Sequence, residues 1–207
     1  MATTFKVRIN KNQLNKTLKS TLSKKKAREL AYNEAVEKAD KAKKETLSKF
    51  NNHPVTQEIE AGASAPNISG TVTPEGNLFS FIGFNAGSNP IEVLRQYMKS
   101  RGRVYKNSKM VKGENRVNYV FRVDGPDKTV VENLTPLPFE KGISWVRGIE
   151  KGISNIGNYI FRKTDTGKSG EGIQAKGNEK PARPAAFFTP TTYFSAIIDS
   201  FKESLKS

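Results

Sequence analysis

No glycine or proline interrupts residues 11–50, a stretch dominated by Lys, Glu and Ala. These are good helix formers, and the run predicts one long helix, or two joined near Ser23. Leu14, Leu18 and Leu22 recur every four residues. Ala27, Leu30, Ala31, Ala35, Ala39, Ala42 and Phe50 continue the stripe at spacings of three to four, with a gap after Ala42. So narrow and Ala-rich a stripe suits close packing on one surface rather than burial all round. "NNHP" ends the run, because the residue before Pro54 is biased away from the α region.

Charge is the second constraint. The 207 residues carry a net charge of +15, unevenly spread. Residues 1–51 hold 14 Lys and Arg against 5 acids, residues 52–98 one Arg against four Glu, and residues 99–123 eight bases against one acid. Such asymmetry points to an acidic partner, either nucleic acid or an acidic face of another protein; a solvated lysine-rich helix face is the plainer alternative for the first segment. Hydrophobic content is only 35%, so the core is expected to be thin or shared with partners. The absence of cysteine excludes disulfides, thiol catalysis and Cys-based zinc sites. The lone His53 leaves no histidine-rich metal site and argues against a catalytic triad. "MATTFKVRIN" has no apolar core of a secretory signal, and no run approaches the ~20 apolar residues of a membrane span. The expectation is a soluble, intracellular chain with no membrane partner.

The most hydrophobic stretch is "GNLFSFIGF", Gly76–Phe84. It reads as a strand with Leu78, Ser80, Ile82 and Phe84 on one face and Phe79, Phe81 and Gly83 on the other, paired with "NISGTV" across "TPEG". Both faces are largely apolar. That predicts a strand buried on both sides, with a stacking platform for nucleic acid or an edge that meets another subunit as alternatives.

Further along, "SNPIEVLRQYMKS" carries a helix start, with Ser88 or Asn89 as cap and Pro90 in the first turn. A basic hairpin is expected with arms Arg103–Val111 and Arg116–Val123. "DGPDKTVVENLTPLP" reads as a loop or extended excursion. Ile143, Val146, Ile149, Ile153, Ile156 and Ile160 have helical spacing, but four internal glycines argue against a straight helix. "TPTTYFSAIIDSFKESL" predicts an amphipathic helix, capped by Thr189 or Thr192 and burying Phe194, Ile197, Ile198, Phe201 and Leu205.

No motif nominates catalysis. "TGKSGEG" ends like a phosphate-binding loop, but the motif needs a glycine where Arg162 stands and a helix where "GEGIQAKGNEKP" follows. His53 is expected to orient a loop. Glu58 and Glu60, two apart on an expected extended segment, read more readily as solvated charges than as a metal or acid–base pair. The expectation is therefore no enzyme and no cofactor. The basic residues Arg101, Arg103, Lys106, Lys109, Lys112 and Arg116 are the candidates to face DNA or an acidic partner. Arg122 and the aromatics Tyr105, Tyr119 and Phe121 are interleaved with them.

The Lys/Ala-rich helix, "NISGTV…GNLFSFIGF", a short helix, the basic hairpin, and "ARPAAFF" before an amphipathic C-terminal helix together resemble the tail-completion, or head–tail joining, proteins of tailed bacteriophages. The resemblance covers most of residues 20–205 and is strongest at Ser69, Gly70, Gly76–Phe84 and Ala182–Phe188. Residues at about 125–180 depart from it. The resemblance implies a long helix over a small curved sheet, and a homo-oligomeric ring in the neck or at the top of the tail. Six-fold symmetry is favoured, with twelve-fold as the other option. Neighbouring connector and tail proteins would flank the ring, and genomic DNA would pass through its lumen. The chain would assemble in the host cytoplasm and end in the virion.

The sequence thus predicts an α+β fold: a small, mostly antiparallel sheet of four or more strands, covered by the long N-terminal helix and the C-terminal helix. Residues 1–51 form a basic helical region, and residues 52–207 an α+β body with an inserted excursion. Leu78, Phe79, Phe81, Ile82, Phe84, Arg183, Phe194 and Phe201 are the candidates for core or subunit interface. The alternative function is a basic nucleic-acid-binding protein with non-specific phosphate contacts.

Overall fold

The computed structural model describes residues 3–10, 24–73, 76–112, 116–138, 142–152, 162–163, 173–174 and 187–206. In chain order the elements are β1 (Thr3–Asn10), α1 (Lys24–Asn52), α2 (Pro54–Glu60), β2 (Val72–Thr73), α3 (Leu78–Ile82), α4 (Pro90–Ser100), β3 (Arg103–Lys112), β4 (Arg116–Asp124), α5 (Lys128–Leu134), α6 (Trp145–Lys151), β5 (Arg162–Lys163), β6 (Ile173–Gln174), β7 (Phe187–Phe188) and α7 (Phe194–Lys206). The chain divides into two compact units. The first is Met1–Leu47, Tyr97–Pro126 and Ile198–Ser207; the second is Ser48–Gln96 and Asp127–Ile197.

In the first unit an antiparallel sheet has the order β1-β4-β3 and is not closed. The β1–β4 register runs unbroken from Thr3↔Val123 to Asn10↔Arg116. Between β3 and β4 it shifts between Tyr105 and Lys109, a bulge that takes Lys106 out of the ladder. Alternation sends Val7, Val104, Tyr119, Phe121 and Val123 to one face, where they are buried with Ala31, Ala35, Ala39 and Ala42 of α1 and with Phe201 and Leu205 of α7. All four alanines are fully buried. A methyl side chain is what lets a helix backbone approach a sheet this closely, so the narrow stripe has its physical reason here. Tyr32 leans on Phe121 at 5.9 Å between ring centroids and donates its hydroxyl to the Val104 carbonyl at 3.5 Å. The fold is thus α+β, an antiparallel sheet covered on one face by the long N-terminal helix and the C-terminal helix.

Two features of this unit were not anticipated. The region expected to be helical opens instead with β1, whose "TTFKVRIN" alternates in period two. Gly102 turns the chain from α4 into β3 at φ 98°, a backbone conformation that favours glycine; a Cβ there would also press on the Lys43 side chain, 3.2 Å from its Cδ.

In the second unit the main correction falls on "GNLFSFIGF". It is not a strand but the one-turn helix α3, with all five residues buried. Caps explain the change. The Asn77 side chain accepts the Ser80 N–H at 3.0 Å, Glu58 Oε1 accepts the Leu78 N–H at 2.7 Å, and Gly83 closes the turn at φ 80°. An apolar run greasy all round fits a buried helix as well as a buried strand. Nor does "NISGTV" pair with it: β2 pairs antiparallel with β7, Val72 opposite Phe188, and Phe81 stacks on Phe188 at 5.1 Å and 9°.

Rings then run through this core. Phe79 meets Phe84 at 5.4 Å, Phe84 meets Trp145 edge-on at 5.7 Å, and Tyr193 contacts Trp145, Phe50 and Phe194. The buried Tyr193 hydroxyl shares a hydrogen bond with Thr56 Oγ1 at 2.8 Å, and burial pushes its pKa up. "DGPDKTVVENLTPLP" is not an open loop either. Asp127 caps α5 by accepting from Thr129 and Val130 N–H, and Val131 is buried. β5 and β6 form a separate two-residue pair.

Candidate functional site

Four carboxylates and the histidine, the natural candidates for chemistry, are occupied by structural work. His53 Nδ1 accepts the Val55 N–H at 3.2 Å and so caps α2, and burial lowers its pKa. Glu58 lies on that helix, not on an extended segment. It is fully buried and accepts N–H groups from Ser69 (2.8 Å) and Leu78 (2.7 Å). Glu60 pairs with Arg95 at 2.6 Å, and Arg95 also holds Glu92 at 2.8 Å. Glu150 caps α7 in place of the expected threonine. Oε1 accepts the Ser195 N–H, while Oε2 accepts the Ser195 hydroxyl and the Lys128 ammonium. Burial alone would raise the Glu150 pKa, but the Lys128 and Ser195 bonds together hold it below the usual carboxylate range. A shallow depression of about 550 Å³ in the second unit is lined by Glu60–Ser64, Phe79 and Ala86–Asn89. Its one ionised side chain is the Arg95-bound Glu60.

The remaining feature is the other face of the β1-β4-β3 sheet. Cross-strand partners share a face, so the register defines its rows. Thr4, Arg122 and Tyr105 form one row, and Lys6, Val120 and Lys109 the next; Arg103 lies beside Asp124 at one end. Thr4, Lys6, Arg103, Tyr105, Lys109, Val111 and Arg122 are exposed. Successive rows on one face are separated by roughly 6.5–7 Å along the strands, and neighbouring strands by about 4.8 Å. Tyr105, 38% exposed, is flanked by two guanidiniums: Arg122 Cζ lies 5.2 Å and Arg103 Cζ 5.8 Å from its ring centroid. Among the described residues, no carboxylate lies in ion-pair range of Lys6, Arg103, Lys109 or Arg122.

The structure sorts the sequence candidates. Arg103 and Lys109 lie on this face. Arg101 precedes the ladder and is already paired: it holds both oxygens of Asp124 at 3.1 and 3.2 Å and stacks on Tyr97 at 4.8 Å. Lys106, displaced by the bulge, turns to the ring of Tyr32 at 5.7 Å. Lys112 and Arg116 occupy the ladder opposite Val117 and Asn10. Leu78, Phe79, Phe81, Ile82, Phe84, Phe194 and Phe201 are all buried. Arg183 and "TGKSGEG" lie outside the described residues. Sequence reasoning missed Lys6, although the alternation of Phe5, Val7 and Ile9 with Thr4, Lys6 and Arg8 was there to be read.

Among the described residues no helix is long and apolar enough to cross a membrane. No protein family, curated protein or solved structure matches this chain.

Proposed function

We propose that this chain is a structural subunit of an oligomeric ring, in the neck or at the top of the tail of a tailed bacteriophage virion. The observation that carries the reading is the sheet of the first unit. Among the described residues one face is bare, and neither β1 nor β3 has a strand on its outer side. Open edges invite further pairing, and a closed ring of copies is the symmetric way to remove them. The sequence resemblance to tail-completion proteins agrees with this. In such a ring, six copies are favoured over twelve, connector and tail proteins lie above and below, and DNA passes through the lumen. The subunit does no chemistry, and the carboxylates and histidine above serve as caps and ion pairs.

A second reading, a basic nucleic-acid-binding protein acting without a ring, is favoured by the uncompensated charge of the bare face. The mass of the purified chain, measured free of nucleic acid, separates the two. A closed oligomer of defined mass, alone or on addition of a neck or tail partner, supports the ring. A chain that stays monomeric throughout supports the second reading.

A further inference from the structure

We propose that the bare face of the β1-β4-β3 sheet is a sequence-independent contact surface for the phosphate backbone of duplex DNA, with Tyr105 positioning two guanidiniums rather than stacking on bases. The inference deepens the ring reading by naming the ligand of this face. It rests on that reading only for where the DNA comes from.

Three observations carry it. First, Lys6, Arg103, Lys109 and Arg122 present four cations from three strands, and among the described residues none of them forms an ion pair; Asp124, across from Arg103 at one end of the face, is held by Arg101. Like charges gathered on one face repel one another, and a polyanion relieves that repulsion. Second, the composition is wrong for the centre of a protein interface. Such centres are depleted of lysine and enriched in aromatic and aliphatic anchors, whereas here the half-buried Val120 is the one aliphatic side chain in the two cationic rows, with Val111 in the row beyond, opposite Asn118. An acidic protein partner is therefore the less favoured ligand. Third, single-strand binding draws on free aromatic faces for base stacking, and Tyr105, the exposed ring of these rows, is engaged by Arg103 and Arg122. Ring–guanidinium contacts of this kind hold the forks in place. The face thus offers fixed charge and no base readout, which suits loose contact with passing duplex.

The test is fluorescence anisotropy of the full chain with a short mixed-sequence duplex, the matching single strand and polyglutamate, over a salt series. The duplex is expected to bind with equal affinity across unrelated sequences. Four phosphate contacts imply a slope of log K against log salt of about −3.6, and Lys6→Ala or Arg122→Ala should each make it shallower by about 0.9. Lys44→Ala, on an exposed part of α1, should leave the slope unchanged. Tyr105→Phe should bind as the parent does, while Tyr105→Ala should weaken duplex binding several-fold. Circular dichroism and the thermal midpoint check each variant's fold; Lys109→Gln replaces any alanine variant that fails.

A slope indifferent to Lys6 and Arg122 would overturn the proposal. So would tighter binding of the single strand that depends on Tyr105, or binding of polyglutamate without binding of duplex. The ring reading fails separately. An oligomeric chain that ignores DNA sinks only this inference, and a permanent monomer that binds DNA with the expected slope sinks only the ring.

Discussion

The carboxylate of Glu150 accepts the backbone N–H of Ser195 at 2.6 Å, so the C-terminal helix is capped from 45 residues away rather than by a neighbour in sequence. The same carboxylate takes the Ser195 hydroxyl at 2.6 Å and the Lys128 ammonium at 2.8 Å. One side chain therefore ties α5, α6 and the start of α7 together.

Glu150→Ala strands these donors and is expected to cost about 1–3 kcal/mol, read as a lower urea midpoint at neutral pH. Lys128→Ala should cost well under 1 kcal/mol, because Lys128 is 42% exposed and its pair is screened by solvent. The pH dependence has a definite sign. The folded state holds the Glu150 pKa below its unfolded value, so its contribution is complete above the ordinary carboxylate pKa of about 4.3. It is lost as pH falls through the lower folded value. Glu150→Gln should remove this part of the acid limb of the stability curve. An acid limb identical to the parent's would show that Glu150 carries none of it.

Phe81 and Phe188 stack at 5.1 Å and 9°. Phe81→Ala is expected to cost about 3–5 kcal/mol by opening a cavity, and a double-mutant cycle with Phe188→Ala should return a coupling of about 0.5–1.5 kcal/mol. Phe81→Asp should leave no folded second unit, since it places an unpaired charge in the core. Soluble, native-like Phe81→Asp protein, or zero coupling in the cycle, would contradict the packing described.

Ser80 offers a gain. Its hydroxyl oxygen is buried in α3 and has no hydrogen-bond partner among the described residues. Ser80→Ala removes that unmet group and improves helix propensity, and should raise stability by about 0.5–1.5 kcal/mol in denaturant titration. A destabilised variant would mean that the hydroxyl has a partner in solution.

These residues also mark how far the sequence could be read. The alanine stripe, the basic hairpin, and helices α4 and α7 were legible because each is set by local periodicity and punctuation. Ala31, Ala35, Ala39 and Ala42 all face the sheet as their spacing implies. "GNLFSFIGF" was misread because Glu58, twenty residues upstream, supplies part of its helix cap. The Glu150 cap on α7 was hidden for the same reason. Asp127 before "KTVVENL" was a readable cap signal, masked by the flanking prolines. On the bare face, residue type alone could not separate Arg101 from Arg103. Only the strand register and the Asp124 pairing show that one is spoken for and the other is not.

The proposed place of this chain, as a ring subunit of the virion, is open to direct observation by electron microscopy of purified particles. With the chain labelled at a terminus, the expected result is one symmetric ring of density between head and tail or at the tail top, six-fold in the favoured case. Label absent from virions, or spread with the packaged DNA inside the head, would contradict the ring and leave a nucleic-acid-binding protein in its place.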